Sequence, residues 1–401
     1  MLSEKSTATV RATLPAVGAA VGDIAELFYA KLFAAHPALL RDLFNRGNQK
    51  AGLQQQALAG SIAAFAGHLV RHPDTRPDVM LSRIAHKHAS LGITRDQYAI
   101  VHRHLFEAIA EVLGEAVTPA VVEAWDEVYW LMAGALIAIE ERLYAEQRVV
   151  AGDVWRPWTV VRRVEETVDC ATFHLVPADG APAPGFKPGQ YVSVQVELPD
   201  GARQIRQYSL SSSPGSPVRA ITVKRVHGPA AAGPDGEVSH HLHTEVRVGD
   251  TLRVSVPYGD LVLQDPTSPV LLASAGIGCT PMLSMLEHLT ETGHGAPVTV
   301  LHADRSPADH ALRGDHRAFT HKLADASARF WYETGHEDAA AGDGVGRLDL
   351  SDVPVAPGTH AYLCGPLPFM RAVREQLLHK GVPAANIHYE VFGPDLWLAS
   401  A

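Results

Sequence analysis

Four stretches of this 401-residue chain have residue types and spacings suited to chemistry. The first is Ile84-Ala85-His86-Lys87-His88-Ala89-Ser90, with Gly92 as a helix stop and Asp96-Gln97-Tyr98 opening the next helical pattern. An imidazole there can bind a metal, although the chain has 22 histidines and core packing accounts for most. The second is Glu140, a carboxylate at the end of an otherwise apolar helical run. Buried, it needs a donor; otherwise it caps the exposed end of the run beside Glu141 and Arg142. The third is Arg206-Gln207-Tyr208-Ser209, followed at a distance by Gly236-Glu237-Val238-Ser239. The arginine is a planar fork suited to a pyrophosphate, and a helix opening near Ser239 would present N–H groups to the same anion. The fourth is Gly276-Ile277-Gly278-Cys279-Thr280-Pro281. Its glycines let backbone approach a pyrophosphate, with Thr280 expected to cap and Pro281 to take the first helical position. The spacing is not Gly-x-Gly-x-x-Gly, which disfavours a plain Rossmann dehydrogenase.

The elements that must position these residues fall into three textures. From Lys5 to about Arg148 the helical period recurs, as in Ile24, Leu27, Phe28, Leu32 and Phe33, with Pro15, Pro37, Pro73, Pro77 and Pro119 expected at or near helix starts. Period-2 segments then predict strands over 158–164, 171–176, 191–198, 221–226 and 252–256, separated by Gly- and Pro-rich turns, hence a small antiparallel barrel. Strands over 270–274, 298–302, 329–332, 361–364 and 387–391 alternate with helices over 282–292, 316–324 and 368–380, which predicts a doubly wound parallel sheet. The expected domains are 1–150, 151–265 and 266–401.

The bulk numbers exclude several classes. A net charge of -10 without a basic block argues against nucleic acid or an anionic membrane as partner. Three widely separated cysteines, Cys170, Cys279 and Cys364, fit a reducing compartment and neither a disulfide frame nor a structural zinc site. The apolar run from Val128 to Ile139 is too short to span a bilayer, and the N-terminus lacks a signal-peptide pattern. A cytoplasmic protein without integral membrane association is expected.

The helical third resembles a bacterial globin. Leu27-Phe28-Tyr29 with Phe33, then Pro37, Leu39, Leu43-Phe44-Asn45, Asn48-Gln49, Gln54 and Ala57-Leu58 resemble its second helix, the following corner and the distal helix. Lys87-His88-x-Ser90 with Tyr98 resembles the proximal helix and the start of the next, and Trp125 to Tyr144 the last. The resemblance implies that His88, rather than His86, ligates haem iron, with Glu140 as acceptor of its second N–H and Tyr98 holding that carboxylate. It places Tyr29 and Gln54 as distal hydrogen-bond donors, Leu58 above the iron and Phe44 against the porphyrin. Pro188-Gly189-Gln190-Tyr191, the Arg206–Ser209 box and Gly236-x-Val238-Ser239-x-x-Leu242-His243 resemble the FAD domain of the ferredoxin-NADP reductase superfamily. Arg206 would then meet the flavin pyrophosphate, Tyr208 lie on the isoalloxazine and Ser209 reach its hydride-accepting nitrogen, with Tyr191, Gln207, Gly236 and Val238 in the same site. Gly276, Gly278, Thr280, Pro281 and Cys364-Gly365-Pro366 resemble the nucleotide half of that superfamily. Tyr389-Glu390-Val391-Phe392-Gly393-Pro394 resembles its terminal flavin-covering segment, with Phe392 over the ring. Cys279 stands where relatives more often carry Gln or Ile, and leaves a thiol near the cofactor. Arg305 and Ser306 are either ligands of an NADPH 2′-phosphate or solvated loop residues, so NADH and NADPH both stay open. His240, His241 and His243 invite a metal, but no acidic or cysteine partner stands nearby and the resemblance accounts for Ser239, Leu242 and His243.

Globin, FAD barrel and nucleotide domain in this order resemble a flavohaemoglobin. That family oxidises nitric oxide to nitrate with oxygen, using haem b, FAD and NADH or NADPH and no obligatory protein partner. A hydride delivers two electrons, the haem takes one at a time, and the flavin mediates between them. Two alternatives are a haem-based oxygen or nitric oxide binding or sensing protein, against which the attached reductase argues, and a flavin-centred ferric, quinone or peroxide reductase.

Overall fold

The structure is a computed structural model that describes residues 2–228, 235–335, 340 and 342–393. Its described residues fall into two compact units. One runs through Trp155 and takes in Glu197–Ile205 and Gly393; the other comprises Arg156–Val196 and Arg206–Phe392.

The first unit is helical: α1 (Glu4–Ala35), α2 (Pro37–Asp42), α3 (Arg46–Lys50), α4 (Leu53–Arg71), α5 (Asp78–Leu91), α6 (Arg95–Leu113) and α7 (Pro119–Glu146). Local chemistry sets their ends. The Ser3 hydroxyl accepts from Ser6 N (3.2 Å) at the start of α1, and Thr118 with Pro119 opens α7. Gly92 ends α5 with φ 77°; a Cβ there would lie 3.3 Å from Val154 Cγ2 as well as being strained. Gln97 accepts from the backbone N–H of Thr94 (2.9 Å), half of a capping box at α6. α1 packs against α4, α6 and α7, burying Ile24, Phe28 and Leu32, each worth about 1.5–3 kcal/mol. Pro15 lies inside α1, not at a helix start. The missing N–H costs one helical bond, and the tertiary packing of so long a helix outweighs it.

In the second unit, β1 (Trp155–Thr167), β2 (Cys170–Pro177), β3 (Tyr191–Glu197), β4 (Arg203–Ser209), β5 (Arg219–Lys224) and β6 (Thr251–Ser255) make one sheet in the order β4-β3-β6-β1-β2-β5. The pairs β1–β2, β2–β5 and β3–β6 are antiparallel. A bridge between Leu210 and Ile221, with Ser211 N donating to Ala220 O (2.8 Å), links the two edges into a barrel. The period-2 reading missed β4, whose outward residues are polar. A short helix, α8 (Glu237–Thr244), follows β5.

The remaining strands, β7 (Val270–Ala275), β8 (Val298–Asp304), β9 (Ala326–Tyr332), β10 (Gly344–Val345), β11 (His360–Cys364) and β12 (Ile387–Glu390), form a wholly parallel sheet in the order β10-β9-β8-β7-β11-β12. The intervening helices are α9 (Cys279–Glu291), α10 (Arg313–Lys322) and α11 (Leu367–His379). Met282, Met285, Leu286 and Leu289 of α9 pack on Leu272, Val300, Phe330 and Tyr362. The chain reverses direction at β7, which pairs with β8 on one side and β11 on the other, so the crevice at their carboxyl ends is a switch point.

Three histidines are buried side by side in this α/β region. His302 and His310 stack at 3.8 Å between ring centroids, His310 Nε2 lies 3.2 Å from His316 Nδ1, and His316 Nε2 is buried without a hydrogen-bond partner. Burial, with His302 adding to it, lowers the pKa of His316 to about 3. Unfolded, the same ring protonates near 6.5, so the unfolded state binds more protons between those values and stability falls as pH is lowered through that window. The expected contribution is about 1.4 kcal/mol per pH unit. Urea unfolding of the full chain from pH 6.5 to 4 should show a shallower pH slope in His316→Gln than in wild type; equal slopes would rule the group out.

Candidate functional site

In the first unit, three helices bring together the residues picked out around His88. His88 lies in the last turn of α5, Tyr98 in the first turn of α6, and Glu140 in α7 with only 3% of its surface exposed. His88 Nδ1 is 2.9 Å from Glu140 Oε1, and the Tyr98 hydroxyl donates to the same oxygen at 2.5 Å. Burial and then the charge of Glu140 push Tyr98 well above the ordinary tyrosine range, so its hydroxyl keeps its proton and donates. The carboxylate therefore accepts from both, His88 carries its proton on Nδ1, and the Nε2 lone pair is left to bind a metal. Of the two alternatives for Glu140, the exposed cap is excluded. Tyr129 donates to Tyr98 O (2.6 Å) and Tyr144 to Ile93 O (2.7 Å), which fastens the start of α6 to α7.

Tyr29 is buried at the other side of α1, pushed up in pKa by burial with Gln54 hydrogen-bonding in opposition. Its ring meets Phe44 edge-on at 5.8 Å, and Phe44 meets Phe33 at 5.3 Å. Leu58 lies on α4 one turn after Gln54. Gln49 has both polar atoms of its side chain buried, and it acts on Tyr29 in the same sense as Gln54. Gln204 was missed. Its amide donates to the carbonyls of Arg41 (3.0 Å) and Phe44 (3.2 Å), fixing the corner that carries Phe44. Gly393, at φ 115°, accepts from Lys87 Nζ at 2.9 Å.

In the barrel, Arg206, Gln207, Tyr208 and Ser209 are consecutive on β4. Gln207 donates to Ser193 Oγ (3.2 Å), while Ser209 Oγ is buried and has no hydrogen-bond partner. A buried hydroxyl in that state is a candidate for a ligand's polar edge. Tyr191 exchanges backbone hydrogen bonds with Tyr258 (2.7 and 2.9 Å). Gly189 must be glycine: a Cβ would lie 2.2 Å from Leu261 O, at φ 101°. α8 begins at Glu237 with Gly236 as N-cap, so Ser239 lies within the first turn and does not open the helix. Its hydroxyl donates to Gly236 O (3.0 Å) and accepts from Val226 N (3.1 Å), so it braces the turn. Val238 is fully buried beneath it.

At the switch point, Gly276 has φ 53°, and a Cβ on Gly278 would lie 2.3 Å from Cys364 O. The turns after β7 and β11 thus touch backbone to backbone, bringing Gly278 to Cys364-Gly365, with Pro366 leading into α11. Two expectations are corrected. α9 begins at Cys279, so Pro281 is its third residue, and Thr280 does not cap but donates to Ile277 O (3.1 Å). The 3-10 turn Gly276–Gly278 already supplies the helix entry. Phe392 is 47% exposed just beyond β12; Pro394 lies outside the described residues. Arg305 donates to Asp309 (2.5 Å), as does Ser306 (2.7 Å).

Comparison with known proteins gives the chain its relatives. Residues 26–136 match the globin family and residues 272–375 the oxidoreductase NAD-binding domain. A flavohemoprotein of Bordetella pertussis is 42% identical over 98% of this chain and 99% of its own. The chain belongs to the flavohemoprotein family. The crystal structure of a Malassezia yamatoensis flavohemoglobin with bound FAD and heme is similar at a TM-score of 0.89 and 39% identity, over 98% of this chain and 100% of that one. The flavohem-like FAD/NAD-binding domain of nitric oxide dioxygenase from Vibrio cholerae covers 60% of this chain and 99% of its own at 35% identity and a TM-score of 0.55. The fold class is the expected one: helical globin, antiparallel FAD-type sheet and parallel α/β sheet. Among the described residues no helix is long and apolar enough to cross a membrane.

The thiol left near the nucleotide turn is not reactive. Cys279 is fully buried, burial pushes its pKa well above the ordinary thiol value, and Cys364 and Cys170 are buried and raised in the same sense. A thiol-specific disulfide reagent at pH 8 should label none of the three in the folded chain and all three after denaturation; rapid labelling of the native protein would contradict this burial.

Proposed function

We propose that this flavohemoprotein is an NAD(P)H-dependent nitric oxide dioxygenase, converting nitric oxide and oxygen to nitrate. The observation that carries the reading is His88 Nδ1 on a buried carboxylate at 2.9 Å. A carboxylate acceptor makes the imidazole a stronger electron donor than a neutral carbonyl would, which suits chemistry on bound oxygen better than its storage. Haem b fits the residues present: His88 offers Nε2, Phe44 and Leu58 supply apolar walls, and Tyr29, Gln54 and the buried Gln49 amide are the polar groups for the ligand side. FAD fits the unpaired Ser209 hydroxyl, the Tyr208 ring and the Arg206 fork, and NAD(P)H fits the glycine approach at Gly278 and Cys364. When bound, the flavin accepts a hydride and passes on single electrons, and the haem supplies oxygen chemistry.

The residues then have definite tasks. Glu140 and Tyr98 hold the His88 ring in one tautomer and orientation. Tyr29 keeps its proton and donates a hydrogen bond to the distal ligand, with Gln54 steering its hydroxyl. Tyr191, Gln207 and Val238 would shape the flavin site, and Phe392 would lie over its ring when the flavin is bound. Thr280 and Pro281 hold the turn that receives the nucleotide, and Gly276, Gly365, Pro366 and Gly393 set its backbone and that of the terminal segment. Residues 1–150, 151–265 and 266–401 are proposed as the haem, FAD and nucleotide domains. Action on small molecules in the cytoplasm, without an obligatory protein partner, is part of this reading.

Nitric oxide pulsed into aerated holoenzyme with reduced cofactor should disappear with one nitrate formed per nitric oxide and about half a cofactor consumed, by the two-electron count. His88→Ala should lose stable haem, and Tyr29→Phe should speed oxygen release by an amount equivalent to about 1–3 kcal/mol. Slow nitric oxide loss with steady cofactor oxidation would instead identify a flavin-centred reductase.

The cofactor choice also has a structural argument. Both residues that could bind an NADPH 2′-phosphate are held by Asp309, and Arg305 stands 4.0 Å from Asp169 as well. A phosphate placed there meets two carboxylates already sharing the arginine. NADH is therefore expected to exceed NADPH in kcat/KM by about tenfold or more, an energy near 1.4 kcal/mol, and Asp309→Asn should narrow the gap. Preference for NADPH in the wild type would refute this.

A further inference from the structure

The histidines of α8 have an acidic neighbour that the expectation above overlooked, Asp235, five residues before His240. Past β5 the chain reaches His227, and after the following segment Asp235 and His240 return beside it. Among the described residues, one nitrogen of each ring and a carboxylate oxygen of Asp235 all lie within 4.8 Å of one another. The two rings meet edge-on, with centroids 5.2 Å apart. His243 takes no part, since its Nε2 faces Val223 O at 2.9 Å inside the barrel.

The outer nitrogens decide what the inner ones can do. His227 Nε2 is 3.0 Å from Asp169 Oδ1, and His240 Nε2 is 3.1 Å from Val226 O. Both partners are acceptors, so each Nε2 carries a hydrogen, and in the neutral ring each Nδ1 carries a lone pair. Those lone pairs face Asp235, at 3.9 Å for His227 and 3.7 Å for His240. Both separations exceed a hydrogen bond. Three electron-rich atoms turned toward one gap repel unless something positive lies between them.

The surroundings fit a metal rather than a proton alone. A ligating histidine commonly donates its other N–H to a carboxylate or a carbonyl, and here one ring has each. Four-coordinate zinc with bonds of about 2.0–2.1 Å spaces its ligands roughly 3.3 Å apart, so the two ring-to-carboxylate separations need to close by only about half an ångström. His227 and Asp235 are more than half exposed, which leaves room for water as a further ligand. Asp235 is anchored by Gly228 N at 3.0 Å, and this hydrogen bond in particular holds its carboxyl below the ordinary range. The approach is tight as well: a Cβ on Gly236 would lie 2.9 Å from Val226 Cβ.

We propose that His227, Asp235 and His240 bind a divalent transition cation of the zinc class, with Asp169 positioning the ring of His227. The bound cation ties the segment after β5 to the first turn of α8. None of the three ligands belongs to the set assigned above to haem, flavin or nucleotide, so the site stands or falls separately from the enzymatic reading.

The test is equilibrium dialysis of chelator-treated full-chain holoenzyme against Zn2+, with elemental analysis and thermal melting. Wild type should retain a single tight zinc equivalent and melt higher with zinc than without. The double variant His227→Ala/His240→Ala should lose both effects. Asp235→Asn and Asp169→Ala should each weaken zinc binding by about 10–100-fold. Haem content, FAD content and the metal-free melting temperature should not change in any variant, which separates lost ligation from lost fold. Equal zinc binding by wild type and the double variant, or no tight zinc in the wild type, would overturn the site.

Discussion

A carboxylate with 3% of its surface exposed, inside an apolar helix, is the constraint around which the first unit is built. Left without donors, Glu140 would cost several kcal/mol. Its two donors come from different helices, His88 on α5 and Tyr98 on α6, so satisfying one side chain fixes the relative register of three helices. Gly92 makes this possible: its positive φ turns the chain sharply enough for His88, seven residues before Arg95 opens α6, to stand beside Tyr98. The same satisfaction that holds the helices together also fixes which nitrogen of His88 is left open. Stability and chemistry are here consequences of a single arrangement.

The second unit depends on a different constraint, the approach of backbone to backbone. Gly189 lies against Leu261 O and Gly278 against Cys364 O at distances no side chain tolerates. Each contact fixes the turns it joins, and each glycine is buried where any residue with a Cβ would collide with backbone. Ser209 is the complement of this design, a polar side chain buried ahead of a partner that the protein itself does not provide.

How much was legible in the sequence followed from how local the determinant is. The parallel strands, the stripe of Ile24, Phe28 and Leu32, and the stop at Gly92 rest on periods and caps, and these were read directly. Pro15 inside α1 was not, because tertiary packing overrode a local helix breaker. β4 was not read as a strand because Arg206, Gln207 and Tyr208 are three half-buried residues in a row, which breaks the alternation of buried and exposed positions. Thr280 and Ser239 were both read as helix openers from residue type alone. Whether a hydroxyl caps, braces or binds depends on which backbone atoms lie within 3 Å, and spacing does not encode that. Gln204 escaped for a related reason: its partners, Arg41 and Phe44, are more than 150 residues away.

Histidine makes the same point with a usable criterion. With 22 in the chain, neither abundance nor burial separates a ligand from a packed ring. The second nitrogen does. His243 has Val223 O on one side and Arg225 on the other, and His310 has Tyr332 and His316; such rings are fully engaged and structural. His88, His227 and His240 are different, each with one nitrogen tied to an acceptor and the other turned toward a gap. An acceptor on one nitrogen fixes the tautomer and raises the basicity of the other. The arrangement favours metal affinity without being sufficient for it: His104 and His294 also have Nδ1 on an acceptor and a buried, unpartnered Nε2, so further ligating groups around the open nitrogen are needed as well.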